Sequence, residues 1–291
     1  PAPRKLIWKS PRRLLGTVLS NYAMAHQGKG GSHLIGHVFV GLKVDGREIL
    51  AGMTTGGDFE EMKLLKEKGF ALGIIGADMF GRLQSTKELA LSIKWLCQNE
   101  RLGFIRYKLS PALARRLMQY YDEYKELGCD EHYGGFNRPR YGEGGGCSAF
   151  GVSFLDVAGL LSEEHYEKWT VDVNIPAHLY GGPYTGKHIT TAQMARLGPL
   201  ATRWADEDEP HVNCFMWEPT YIYLWIHRLW EQGNKGRIAT ESYGCAIGIT
   251  IDASQKPLPQ ESIWKDPIKE PNPYGWQPGI HWGSTEEKLE D

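Results

Sequence analysis

Two runs rich in β-branched and apolar residues flank Asp45-Gly46 in the segment GHVFVGLKVDGREILAGM. A two-residue type I′ turn needs positive φ at both central positions, and Asp-Gly supplies it, so the pattern predicts a hairpin with strands over residues 36–44 and 47–53. Helical periodicity follows in STKELALSIKWLCQNE, where Ser85 and Glu88 form a capping-box signature. GFIRYKL reads as a strand, and SPALARRLMQYYDEYKELG reads as a helix with Ser110 as N-cap, Pro111 at the first position and Gly128 just past the end. After the loop CDEHYGGFNRPRYGEGGG, residues Cys147, Phe150, Phe154, Val157/Ala158 and Leu161 recur at three and four positions. This spacing predicts a helix that starts at or near Cys147 and turns the cysteine inward on its first turn.

Nearer the ends the pattern is weaker. LLGTVLS is expected as a strand followed by the loop NYAMAHQGKGGS, and VDVNIPAHLYGGPYTGKHITT reads as loop. TTAQMARLG is expected as a short capped helix, residues 219–232 as a helix stopped by Gly233, and YGCAIGITID as a strand. The aromatic residues Tyr221, Tyr223, Trp225 and Trp230 are expected to pack on the core, with a membrane-interface or glycan-facing role as the alternative. The Pro/Gly-rich tail KEPNPYGWQPGIHWGSTEEKLED is expected to drape over the body. No linker or internal repeat interrupts the chain.

Composition narrows the function classes. With 291 residues, 41% hydrophobic, the chain can build a sizeable core without staples. Its 33 Lys+Arg against 35 Asp+Glu give no basic field for nucleic acid, and the one like-charge run, Asp206 to Glu209, is acidic. No apolar run reaches the ~20 residues of a membrane-spanning helix, which leaves peripheral contact open. The chain begins at Pro1, and Cys97, Cys129, Cys214 and Cys245 are enough for up to two disulfides; both features lead us to expect an exported protein, periplasmic or secreted, with a signal segment removed.

The candidate chemistry lies at Cys147. A helix start offers unpaired N–H groups and a positive dipole end, which lower a thiol pKa and can hold an oxyanion. Gly145 and Gly146 directly before it are expected to let a substrate carbonyl approach, with Ser148 beside it. GEGGGCS lacks the lysine of a phosphate-binding loop. His33 and His37 stand four apart, but the surrounding glycines and VFV disfavour a helix, and in a strand they would be roughly 13 Å apart, too far to share a metal ion. No metal site or cofactor is expected. His37, entering the hairpin strand, is the candidate base. Counting back from the turn sets His37 opposite Thr54 and leaves Glu48 too far along the ladder, so Thr54 is the candidate to orient the base. In the preceding loop, which also carries Asn137, Arg138 and Arg140, Tyr141 is the candidate oxyanion donor and substrate contact.

GHVFVGL upstream and GGGCSAFGVSFLDVAGL downstream, with a strand and a helix between, resemble the circularly permuted branch of the NlpC/P60 papain-like superfamily over about residues 30–165. The resemblance implies an α+β papain-like core in which an antiparallel sheet carrying His37 packs on the helix that starts at Cys147. It implies Cys147 as nucleophile and His37 as base in a peptidase or amidase that passes through an acyl-enzyme. The substrates implied are peptides, peptidoglycan-derived peptides or acyl esters. An acyltransferase using the same thioester is the alternative within enzymes, and a catalytically silent envelope-binding protein the alternative outside them. Residues 1–165 are expected to form the catalytic core, and residues 166–291 an elaboration packed on it rather than an independent domain.

Overall fold

A computed structural model of the chain describes residues 1–27, 34–56, 60–234, 236, 238–244 and 246–266. His33, Cys245 and the tail from 267 onward lie outside the described residues. In chain order the elements are α1 (Pro11–His26), β1 (Val40–Val44), β2 (Arg47–Ala51), β3 (Met53–Thr55), α2 (Glu60–Lys66), β4 (Met79–Leu83), α3 (Thr86–Gln98), β5 (Gly103–Leu109) and α4 (Pro111–Glu126). They continue with β6 (His132–Tyr133), α5 (Cys147–Val157), α6 (Glu163–Trp169), β7 (Thr170–Pro176), α7 (Thr191–Leu197), β8 (His211–Trp217), α8 (Pro219–Gln232), β9 (Ile238–Tyr243) and β10 (Ala246–Ala253). The class is mixed α+β, with helices set around several small sheets.

Strong local signals fold as written. Ser110 accepts the Leu113 amide at 3.3 Å with Pro111 at the first position of α4, and Ser85 and Glu88 cap each other at the start of α3. The hairpin register runs from Val44↔Arg47 to Val40↔Ala51, with φ of 49° at Asp45 and 79° at Gly46. The strands stop there, short of the expected 36–44 and 47–53, and His37 lies just ahead of β1.

Three expectations are corrected. LLGTVLS is not a strand but part of α1, because Ser10 caps the Arg13 amide at 3.3 Å and Pro11 opens the helix, outweighing the β-branched Thr17 and Val18. VDVNIP is not loop: it forms most of β7, paired antiparallel along its length with β8, a partner about forty residues on that local pattern does not reveal. Of the expected disulfides, Cys97 is disulfide-bonded, while Cys129, Cys147 and Cys214 are buried free thiols.

The core is shared across the chain. The inward face of α4 (Leu113, Leu117, Tyr120, Tyr124) packs on Phe150, Phe154 and Val157 of α5, on Leu42 and Ala51 of the hairpin, and on Ile263. Tyr120 and Phe154 meet edge-on with ring centroids 5.2 Å apart. On its other side α5 gives Val152 to a cluster with Trp169, Ile222, Trp225 and Ile249. An apolar helix enclosed on several sides is fixed in place, each buried Leu or Phe contributing about 1.5–3 kcal/mol. β10 pairs in parallel with β5 and antiparallel with β9, so residues from both halves of the sequence build one sheet.

Candidate active site

Cys147 is the first residue of α5, and extended Gly146 (φ −65°, ψ 164°) is its N-cap. The thiol is buried, with 4% of the residue exposed. Four groups lie close enough to its sulfur to lower its pKa: the Val38 amide, the Tyr133 hydroxyl, and the amides of Ser148 and of Cys147 itself. The Val38 amide reaches it because the segment ahead of β1 runs closely along α5, where a Cβ built on Gly151 would stand only 2.5 Å from Val38 Cγ1. The fold thereby brings the residue next to His37 onto the Cys147 sulfur.

His37 Nε2 is 2.5 Å from Gln84 Oε1. The two pass over Gly52, where any Cβ would lie 2.9 Å from Gln84 Oε1 and 3.1 Å from His37 Nε2, so only glycine leaves them room. Gln84 is fixed by its own amide, which donates to the Gly52 carbonyl at 2.8 Å. Thr54 is not opposite His37. The hairpin ladder ends at Ala51, Gly52 redirects the chain, and Thr54 pairs with Arg82 in the separate β3–β4–β6 sheet. Register counting was right within the ladder and failed where the ladder breaks. Nothing in the sequence around Gln84 marks it, since the residue before a capping box carries no special requirement.

The phenol at the thiol is Tyr133 rather than Tyr141. Tyr141 lies in a short 3₁₀ turn with its ring under the Arg138 guanidinium, 4.7 Å from the ring centroid. Gly145 and Gly146 spend their amides on the His132 carbonyl (3.1 Å) and the Gly134 carbonyl (2.8 Å). The preceding Gly144 has φ 71°, and a Cβ there would stand 2.5 Å from both the Cβ and the carbonyl oxygen of His132. The triple glycine thus lets the loop lie flat on the backbone of β6 and the two residues after it, 132–135, which holds Tyr133 against the thiol. Ser148 is buried, and its Oγ donates to the Trp217 carbonyl at 2.7 Å, leaving its amide as its contribution to the site.

Beneath the loop is a polar network that the sequence did not announce. Asn137 donates to Asp78 (2.9 Å) and to the Glu143 carbonyl (2.7 Å), His132 Nδ1 is 2.9 Å from Asp78, and Arg138 pairs with the buried Glu143 carboxylate. Asp78 raises the His132 pKa. These contacts account for the interior ends of Asn137 and Arg138. Arg140, also buried, pairs with Asp156 and Glu261.

Electrostatics corrects one further expectation. Burial raises the Cys147 thiol above its ordinary value, against the opposing effect of the four donors. Burial likewise lowers His37 to about 4, the Gln84 hydrogen bond opposing it. At rest Cys147 is therefore a thiol and His37 a neutral imidazole. Among the described residues no group of three or more His, Cys, Asp or Glu is arranged to hold a metal ion, and no helix is long and apolar enough to cross a membrane. No protein-family model, curated protein or solved structure matches this chain.

Proposed function

We propose that Cys147 is the nucleophile of a cysteine hydrolase of peptidase or amidase type, built on a permuted papain-like core, with His37 as general base and Gln84 as the residue that orients it. The observation that carries this reading is the convergence of the Val38 amide, the α5 N-terminal amides and the Tyr133 hydroxyl on one sulfur, one residue from a histidine whose far nitrogen is held by a side-chain amide. Because both pKa shifts favour the neutral pair, proton transfer accompanies attack instead of preceding it. The sulfur bonds to the substrate carbonyl carbon as the thiol proton passes to His37. The leaving amine or alkoxide takes that proton, and a thioester remains. Water then attacks the thioester through His37 and regenerates the thiol. The same amides that face the sulfur are suited to hold the oxyanion formed at each attack. The Cys97 disulfide supports an oxidising, exported setting.

The test is intact-mass analysis after exposure to p-nitrophenyl acetate. A single acetyl adduct should map to Cys147, vanish in Cys147→Ala, and form about 10²-fold more slowly in His37→Ala. An adduct on Cys129 or Cys214 instead would remove the nucleophile assignment. A catalytically silent binding protein is favoured by one observation, the nearly complete burial of the thiol. It predicts no adduct in the native protein and full labelling only after unfolding.

A further inference from the structure

Charge is unevenly spread along this chain. It has 33 Lys+Arg against 35 Asp+Glu, yet no Asp or Glu occurs in residues 1–44, while Arg4, Lys5, Lys9, Arg12 and Arg13 fall within a short stretch of that segment. All five cations are exposed. Among the described residues none of them is in an ion pair. Lys5 lies over the Tyr221 ring, 5.2 Å from its centroid, a contact that keeps the charge.

Tertiary contacts gather these charges around α1. Asn21, fully buried, accepts the Arg4 amide at 2.7 Å and donates to the Arg4 carbonyl at 2.9 Å, and the Ile7 amide donates to Thr17 Oγ1 at 3.3 Å. The segment 4–7 therefore runs back along the flank of α1, against its direction. Arg4 and Lys5 are set beside the second half of the helix, with Lys9, Arg12 and Arg13 at its start. The outward face between them carries Gly16, Leu19 and Ala23, spaced from Arg12 at three and four residues, with Tyr22 at its edge. Leu19 is 66% exposed and Tyr22 38%. The acidic run Asp206–Glu209 lies near, since Trp204 stacks on Trp8 with ring centroids 6.4 Å apart, but Arg203 takes both Asp206 and Glu209. The aromatic helix α8 offers no comparable surface: Trp225 is buried, and Tyr221 and Trp230 pack on core clusters.

We propose that this face of α1 is a docking surface for an anionic lipid bilayer, the five cations meeting the headgroups while Leu19 and Tyr22 enter the boundary with the acyl chains. Cations alone would serve a nucleic acid equally well, and an apolar patch alone a second copy of the chain. Cations at both ends of an exposed leucine and tyrosine match a surface that is anionic outside and hydrocarbon beneath. This role does not depend on the chemistry of Cys147.

Co-sedimentation of the full chain with vesicles of phosphatidylcholine, alone or with about 30 mol % phosphatidylserine, measures the contact. An anionic leaflet favours each nearby cation by about fivefold in partitioning, so the anionic vesicles should bind roughly a hundredfold or more tighter, and about 0.5 M salt should erase most of the difference. The triple variant Lys9→Gln/Arg12→Gln/Arg13→Gln alters only exposed side chains. It should lose at least about tenfold in affinity while its thermal unfolding stays that of the parent. A polarity-sensitive fluorophore on Leu19→Cys should shift to the blue on the anionic vesicles, whereas one on Leu127→Cys, 63% exposed at the end of α4, should not.

No binding, equal binding to both kinds of vesicle, an unchanged affinity in the triple variant, or a shift at Leu127 but not at Leu19 overturns the proposal. So does tighter binding to a DNA duplex than to the anionic vesicles, or a concentration-dependent dimer that shifts the Leu19 probe without lipid, since either gives the face to another occupant.

Discussion

Gln84→Glu should convert the His37 contact from a neutral hydrogen bond into an ion pair. The replacement is nearly isosteric and puts a carboxylate where an amide oxygen now lies 2.5 Å from Nε2. Burial holds His37 at about 4, well below its ordinary 6.5. A carboxylate at that distance raises a histidine by about 1–3 units, so His37 should titrate between roughly 5 and 7 in the variant. The shift has a linked effect on stability. In the parent the fold favours the neutral ring, so the unfolded chain binds more protons between pH 4 and 6.5. Stability is therefore intact above that window and lost as pH falls through it, by up to about 3.4 kcal/mol at 1.36 kcal/mol per unit. The variant should lose less across the same window. Titration of the His37 imidazole by NMR measures the first quantity, and urea unfolding at pH 7, 5.5 and 4.5 the second. If His37 titrates near 6.5 in the parent, or at the same pH in both proteins, it is not held in a buried contact with residue 84, and the orienting role of Gln84 fails.

Tyr133→Phe removes a donor that lowers the thiol pKa, so Cys147 alkylation at neutral pH should slow several-fold, whereas Tyr141→Phe should leave it unchanged; equal rates in both variants would detach Tyr133 from the site. Thr54→Val should not alter acetylation of Cys147, since Thr54 belongs to another sheet, and a loss comparable to that of His37→Ala would restore the register-based assignment. Gly142 and Gly144 both have positive φ, but a Cβ at Gly142 meets open space while one at Gly144 overlaps the His132 backbone. Gly142→Ala should cost about 1–2 kcal/mol and Gly144→Ala more than about 3 kcal/mol in chemical denaturation; matched losses would mean that the loop does not lie flat on the 132–135 segment.

Local chemistry that repeats within one element was legible in the sequence. The Asp45-Gly46 turn, the Ser110–Pro111 and Ser85–Glu88 helix starts, and the apolar face running from Cys147 all depend on residues within a turn or two of one another, and each folds as its pattern requires. The nucleophile candidate was legible for the same reason: a glycine run ending in an inward cysteine at a helix start is a local arrangement. His37 was legible as a candidate, but only the docking of its segment along α5 brings Val38 to the sulfur.

The partners of these groups were decided elsewhere. Gln84 reaches His37 because the ladder ends at Ala51 and the chain folds back past Gly52, a break that a uniform register count cannot foresee. Tyr133 displaces Tyr141 because three glycines let one loop lie on a two-residue strand, and that contact depends on backbone packing rather than on spacing. The sign of the thiol shift was also a tertiary matter. The sequence by itself determined a cysteine at a helix start, whose dipole lowers its pKa; the enclosure of α5 on several sides determined how much water that sulfur loses, and desolvation outweighs the dipole.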